Sequence, residues 1–295
     1  MEPKNWLDRL ALGTVQFGLD YGIANIGGRI SRYECKKILA LARSAGVRIL
    51  DTAQAYGASE QVLGRLANNS FKIITKIAPS IRTEEELKKS LWQSLRNLKR
   101  NKVYGCLFHD FNCWRKNPEL IDELFKAKSA GLVEKIGFSL YRPNELQYLL
   151  THKIPVDLVQ VPYSVFDQRF AKIFARAKCQ EIEIHTRSVF LQGLVFIKPA
   201  DLKPYFIPFK KRLEKLNQLQ KQSGLTLSAI CLNFALLNPN IDRVVVGVDN
   251  ATDLYENISD LTLVNLNKTK AILPALKKLH CQDEAMILPM NWKKS

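Results

Sequence analysis

The sequence has no apolar helical stretch long enough to cross a bilayer. The longest uncharged one, around residues 228–237, falls well short of the roughly 20 residues a spanning helix needs. The opening residues MEPKNWLDRL contain no cleavable apolar segment, so a soluble, cytoplasmic protein is expected. CxxC spacing is also absent. The six cysteines, at 35, 106, 113, 179, 231 and 281, fall mostly in apolar runs where a thiol behaves as a small hydrophobe, so neither a disulfide framework nor a metal site is expected. Acidic residues are in deficit, 28 Asp and Glu against 44 Lys and Arg, for a net charge of +16. Such a charge attracts anions, nucleic acid and acidic membrane surfaces non-specifically. Here the lysine pairs at 36, 88, 210, 277 and 293 are scattered, and there is neither a basic arm nor the aromatic pattern of an RNA-binding sheet. Solvated helix faces account for them, and no specific nucleic-acid or membrane partner is expected. No Pro/Gly/Ser-rich linker or low-complexity tract divides residues 1–295, which implies a single domain.

What recurs instead is a short apolar, often β-branched run followed by an amphipathic one. The strand-like runs are 9–14, 47–51, 71–76, 103–109, 133–139, 156–162, 181–187 and 242–247. Between them, YECKKILALARSAG, TEEELKKSLWQSLRNL and ELIDELFKAKSAG place apolar residues at helical spacing, with Gly46 and Gly131 suited to helix C-caps. Two helices, about 206–222 and 226–237, are expected before the eighth strand, and a C-terminal helix with a tail near the barrel mouth over 260–295. Strands alternating with helices imply right-handed parallel crossovers, and eight such units match an α/β fold of the closed (β/α)8 TIM-barrel type. A doubly wound open sheet is the structural alternative, but the GxGxxG it would want after an early strand is missing.

In a barrel of this kind chemistry gathers at the C-terminal ends of the strands. Strand two ends in Asp51, strand three in Lys76 and strand four in His109, and Tyr56 follows strand two in its loop. A phenol is a poor proton donor at neutral pH; a nearby ammonium would lower its pKa, and a carboxylate would hold that ammonium charged. An imidazole beside them would position and polarise a carbonyl oxygen. Each residue alone has a structural explanation: Lys76 and His109 as rim residues, Asp51 as a helix N-cap, Tyr56 as packing. Their joint placement on the right strands favours chemistry.

Over nearly its whole length the sequence resembles the aldo-keto reductase superfamily. The resemblance is carried by LGTVQFG, LDTAQAYGASEQVLG, the lysine of IITKI, the histidine of LFHD, GFSL, VQVPYSVFDQR and VVVGVDNATDLYEN. It implies an NADPH- or NADH-dependent reductase of aldehydes or ketones, with Asp51, Tyr56, Lys76 and His109 as a catalytic tetrad and Tyr56 as general acid. It also implies a dinucleotide extended across the mouth without a Rossmann unit. Ser139 and Gln160 would hold its carboxamide, Asp51 and Thr52 would lie near the nicotinamide ribose, and the 188–193 loop, with Ser188, Gln192 and Gly193, would follow the pyrophosphate. Glu256 and Asn257 would meet the adenine. Gln16, Phe17 and Tyr21 after strand one, and Phe111 and Trp114 after His109, are expected to form the substrate pocket. Met290, Trp292 and the tail around them are expected either to close the mouth or to be disordered.

The chain also departs from the family pattern. Leu140 stands where many members have an asparagine after the carboxamide-binding serine, and Arg187 where many have a tyrosine that stacks on the nicotinamide. Gly247, Val248 and Asp253 replace the lysine, hydroxyl residue and arginine that contact a 2′-phosphate in NADPH-preferring relatives, so weak discrimination or a preference for NADH is expected. The expected substrate is a small carbonyl compound, such as a sugar or an anionic aldehyde. A catalytically weak, cofactor-binding regulatory barrel is the competing reading, which single-turnover kinetics would distinguish.

Overall fold

The computed structural model describes residues 6–25 and 27–292. Eight parallel strands close into a barrel in sequence order. They are β1 (Leu10–Gly13), β2 (Ile49–Asp51), β3 (Lys72–Ile77), β4 (Val103–Phe108), β5 (Val133–Ser139), β6 (Leu158–Pro162), β7 (Glu183–Arg187) and β8 (Arg243–Gly247). β1 completes the ring by pairing with β8, from Leu10 opposite Val244 to Gly13 opposite Gly247. All eight strand-like runs therefore form strands: 133–139 is unchanged, 71–76 is shifted by one residue to Lys72–Ile77, and the others are slightly trimmed. Arg9, for example, precedes β1 and spends its guanidinium on the carbonyls of Leu236, Asn238 and Ile241.

The helices form where local chemistry favours them. Ser31 accepts the Glu34 amide at the start of Arg32–Ser44, and Thr83 and Glu86 form a reciprocal capping box at the start of Glu84–Leu98. Gly46, at φ +90°, ends the first of these helices: its amide bonds the Arg43 carbonyl and that of Val47 bonds Ala42, the Schellman pattern. Between β7 and β8 the two expected helices are Lys210–Ser223 and Leu227–Leu236, the former preceded by a 3-10 segment, Pro204–Phe209. Two apolar layers result. Ala11, Ile49, Ile74, Leu107, Leu158 and Val245 fill the barrel interior, and a larger core lies between the strands and the surrounding helices.

The C-terminal segment runs through the helices Leu263–Lys277 and Glu284–Ile287. Glu284 pairs with Arg142 after β5 and Arg169 after β6, which brings this segment to the C-terminal rim. Its described residues do not line the mouth. The Trp292 ring packs edge-on against Phe206 at 4.9 Å and its indole N–H donates to the Met286 carbonyl, while Met290 is exposed. Met290 and Trp292 do not line the mouth; Trp292 finds an apolar partner beside the 3-10 segment. Residues 293–295 lie outside the described residues. Among the described residues no helix is long and apolar enough to cross a membrane.

Candidate active site

Parallel pairing sets the ends of β2, β3 and β4 side by side, so residues far apart in sequence meet at one rim. Lys76 is fully buried, and its ammonium donates to both Asp51 carboxylate oxygens, at 2.8 and 2.7 Å, and to the Thr52 carbonyl at 2.9 Å. Gln160 on β6 donates its amide N–H to Asp51 Oδ1 at 2.7 Å. The Lys76 nitrogen lies 5.2 Å from the centre of the Tyr56 ring, and the His109 ring meets Tyr56 edge-on at 5.7 Å. A tight turn aims Tyr56: its amide bonds the Ala53 carbonyl, and its own carbonyl accepts from Ser59. The short helix Val15–Gly18 packs directly behind that turn, where a Cβ on Gly18 would collide with the Tyr56 carbonyl. The structure brings together all four residues singled out from the strand ends.

The electrostatics differ from the sequence expectation at one point. Burial, and then the Asp51 charge, push the Tyr56 phenol above its ordinary pKa; Arg187 pulls the other way. The Lys76 ammonium is itself engaged by the Asp51 carboxylate at 2.7–2.8 Å. Burial also pushes the Lys76 ammonium down, and Asp51 is the main group opposing that loss of charge. His109 is held down at about 3 by burial, then by the positive charges of Lys76 and Arg187, so its imidazole is neutral at physiological pH. Its Nδ1 is buried with no hydrogen-bond partner among the described residues.

These groups open onto a cavity of about 460 Å³. Asp51, Tyr56 and His109 line it together with Tyr21, Tyr141 and Arg187, and Gly247, Asp249, Asp253, Glu256 and Asn257 line it from the end of β8 and the segment that follows. Gln16, Ser188, Gln192 and Gly193 also line it. Other expected contacts lie elsewhere. Thr52 is buried and its hydroxyl donates to Ser59, so it does not face the cavity. Ser139 and Gln160, register partners on β5 and β6, are buried beneath the wall. Phe17, Phe111 and Trp114 are not pocket residues but core: the Phe111–Arg115 helix, capped by Asp110, turns Phe111 and Trp114 onto Phe138. Sequence reading missed Tyr141, Asn25, Phe196 and Asp249 on the cavity wall. Only Asp249 carried a sequence signal, its place in the VVVGVDN run after β8.

Arg187 is held by three contacts. Its guanidinium lies 4.3 Å from the Tyr141 ring centre, donates to the Leu140 carbonyl at 3.1 Å and to the Ser188 hydroxyl at 3.3 Å. The loop that follows is unusually wound, with positive φ at Ser188 (63°), Leu191 (46°), Gln192 (53°) and Gly193 (90°). It is tied to the loop after β1 by Ile23 N–H to the Gln192 carbonyl and by the Gln192 side chain to Tyr21. After β8 Asn250 caps the helix Ala251–Ser259, and Asp253 accepts from the Asp249 amide at 3.0 Å. Asp249, accepting from Gln16 at 3.4 Å, has its carboxyl pushed up by burial and by the nearby Asp253 charge.

The residues present fit a dinucleotide. Gln160 Oε1 is a buried acceptor with no partner among the described residues, and Ser139 sits on the neighbouring strand end. A carboxamide N–H would satisfy that acceptor.

A model described as the Aldo/keto reductase family matches residues 9–271. Over 92% of this chain and 93% of its own length, an L-galactose dehydrogenase from Arabidopsis thaliana is 22% identical. The solved structure of a Bacillus halodurans aldo-keto reductase in holo form superposes with a TM-score of 0.72 at 17% identity, covering 94% of this chain and 95% of that one. A second structure, of a putative 2,5-diketo-D-gluconic acid reductase B, gives a TM-score of 0.68 at 20% identity over 96% of this chain and 91% of that one.

Proposed function

The chain belongs to the aldo/keto reductase family, an NAD(P)H-dependent oxidoreductase by that membership, and from this premise we propose that Asp51, Tyr56, Lys76 and His109 carry out its carbonyl reduction. The observation that carries the proposal is the buried Lys76–Asp51 pair directly beneath Tyr56 and His109 in the cavity lining. When bound, the reduced nicotinamide supplies the hydride. Ser139 and Gln160 would hold its carboxamide, the wound 188–193 loop its pyrophosphate, and Glu256 and Asn257 its adenine.

Tyr56 gives its phenolic proton to the carbonyl oxygen as charge develops there. Burial keeps that proton on the phenol through the neutral range, so the site is set for reduction. His109, neutral and edge-on to Tyr56, donates a hydrogen bond that positions the same oxygen. Asp51 keeps Lys76 charged and fixed, and Gln160 fixes Asp51. The carboxylates that line the cavity after β8, Asp249, Asp253 and Glu256, suit a ribose hydroxyl better than a 2′-phosphate, which supports NADH or weak discrimination. Similarity to an L-galactose dehydrogenase supports a small sugar-derived carbonyl compound as substrate.

The test is Tyr56→Phe, which keeps the ring and removes the proton. Turnover of a panel of aldehydes and sugars should fall by roughly 10²–10⁴-fold while the dissociation constant for NADH changes little. Turnover within threefold of the parent would remove Tyr56 from this role.

A further inference from the structure

Among the described residues lining the cavity, Arg187 is the one cationic side chain. Lys76 is beneath the floor with its charge matched by Asp51. Arg187 meets no carboxylate: its described partners are a carbonyl, a hydroxyl and the Tyr141 ring. Two other arginines near the rim, Arg142 and Arg169, are both paired with acids. A guanidinium left without a counter-charge in a partly dry wall is costly unless something else supplies one.

The geometry around Arg187 is fixed before any ligand arrives. Tyr141, on which it lies, is pinned at both backbone groups: its N–H donates to Glu145 at 2.7 Å and its carbonyl accepts from Arg169. Glu284 from the C-terminal segment in turn holds Arg169 at 2.7 Å. One face of the guanidinium is therefore covered and two N–H groups are used, leaving the rest of its five-donor fork for the cavity. The charge acts on the reaction centre, since it opposes the upward push on Tyr56 and adds to the downward push on His109. Of the carboxylates that line the cavity, Asp51 is committed to Lys76 and Gln160, and Asp249, Asp253 and Glu256 belong to the segment after β8, so none of them neutralises Arg187.

We infer that Arg187 recognises an oxyanion, a carboxylate or a phosphate, carried by the carbonyl substrate, so that the natural substrate is an anionic aldehyde or ketone rather than a neutral one. This rests on the reductase reading of the same cavity. Arg187 here selects substrate and takes no part in proton transfer.

Matched probes test it: 4-carboxybenzaldehyde, its methyl ester and 4-formylphenyl phosphate, with calorimetric titration of terephthalate and terephthalamide into the same protein. The parent should favour one or both anionic aldehydes over the ester by about tenfold or more in kcat/KM. Which of the two leads separates the carboxylate from the phosphate source. In Arg187→Met the preference should fall to within about threefold of parity, whatever happens to the absolute rate, and Arg187→Lys should retain part of it. Should the Met variant not fold, the parent comparison and the Lys variant still decide. No preference in the parent, or a preference that survives Arg187→Met, overturns the inference. So does a variant that alters only the relative affinities for NADH and NAD+, since the cation then serves the cofactor. If the parent reduces none of the aldehydes, the reductase reading fails, and calorimetry still decides the anion site: terephthalate must bind more tightly than the diamide, and only in the presence of Arg187.

Discussion

His109 stays neutral because its surroundings disfavour the imidazolium twice over, by burial and by the positive charges of Lys76 and Arg187. A pKa of about 3 in the folded chain lies below the ordinary value of about 6.5, so on acidification the unfolded chain takes up the proton first. The stability tied to this residue is complete above about pH 6.5 and is lost progressively as pH falls toward 3. Thermal melts of the parent between pH 7 and 4.5 should therefore show a steeper fall in Tm than those of His109→Asn, which has no group to titrate; parallel profiles would contradict the assignment. Tyr56 belongs to the same scale. The sequence puts a tyrosine, a lysine and an aspartate at one rim, and that much was legible. The sign of the tyrosine's shift was not, because it depends first on how deeply the folded chain buries the phenol and then on the Asp51 charge beside it, neither of which spacing reveals.

The 188–193 loop shows what local strain does for an element. Gly193 sits at φ +90°, and a Cβ there would lie 2.6 Å from the Cβ of Ala24 in the loop after β1. Gly193→Ala should cost on the order of 1–3 kcal/mol in denaturant unfolding and weaken NADH binding, because the two loops must separate. An unchanged midpoint together with an unchanged dissociation constant would show that the loop tolerates the side chain. The regular elements were legible because β-branched runs and helical periodicity repeat eight times. The short ones were not: the five-residue helix Phe111–Arg115 offers too few positions for a period, and it is this helix that sends Phe111 and Trp114 into the core instead of the pocket. Tyr141 was missed for a related reason. Only the Glu145 and Arg169 contacts, from two different segments, turn it into a wall of the cavity.

Across the whole molecule, a chain of net charge +16 builds a cavity whose described lining carries four carboxylates, Asp51, Asp249, Asp253 and Glu256, and a single arginine. Overall charge is thus no guide to the charge a ligand meets. Asp253, with one oxygen on the Asp249 amide, should repel a 2′-phosphate, and Asp253→Arg should shift relative kcat/KM toward NADPH by roughly tenfold, ~1.4 kcal/mol. A parent that already favours NADPH a hundredfold and ignores the substitution would place the phosphate site elsewhere. The barrel itself was legible as a count of strands, whereas the charge of the cavity lining was not, because it arises only when the strand ends are brought into one ring. That ring is sealed by β1 lying against β8, which ties residue 10 to residue 244. Gln16 and Asp249, which meet across this seam, come from opposite ends of the chain, so a nascent polypeptide still lacking β8 has no complete cavity to offer. Dinucleotide binding would then report full ring closure, and the cofactor would favour the finished fold over every truncated or half-wound intermediate during synthesis.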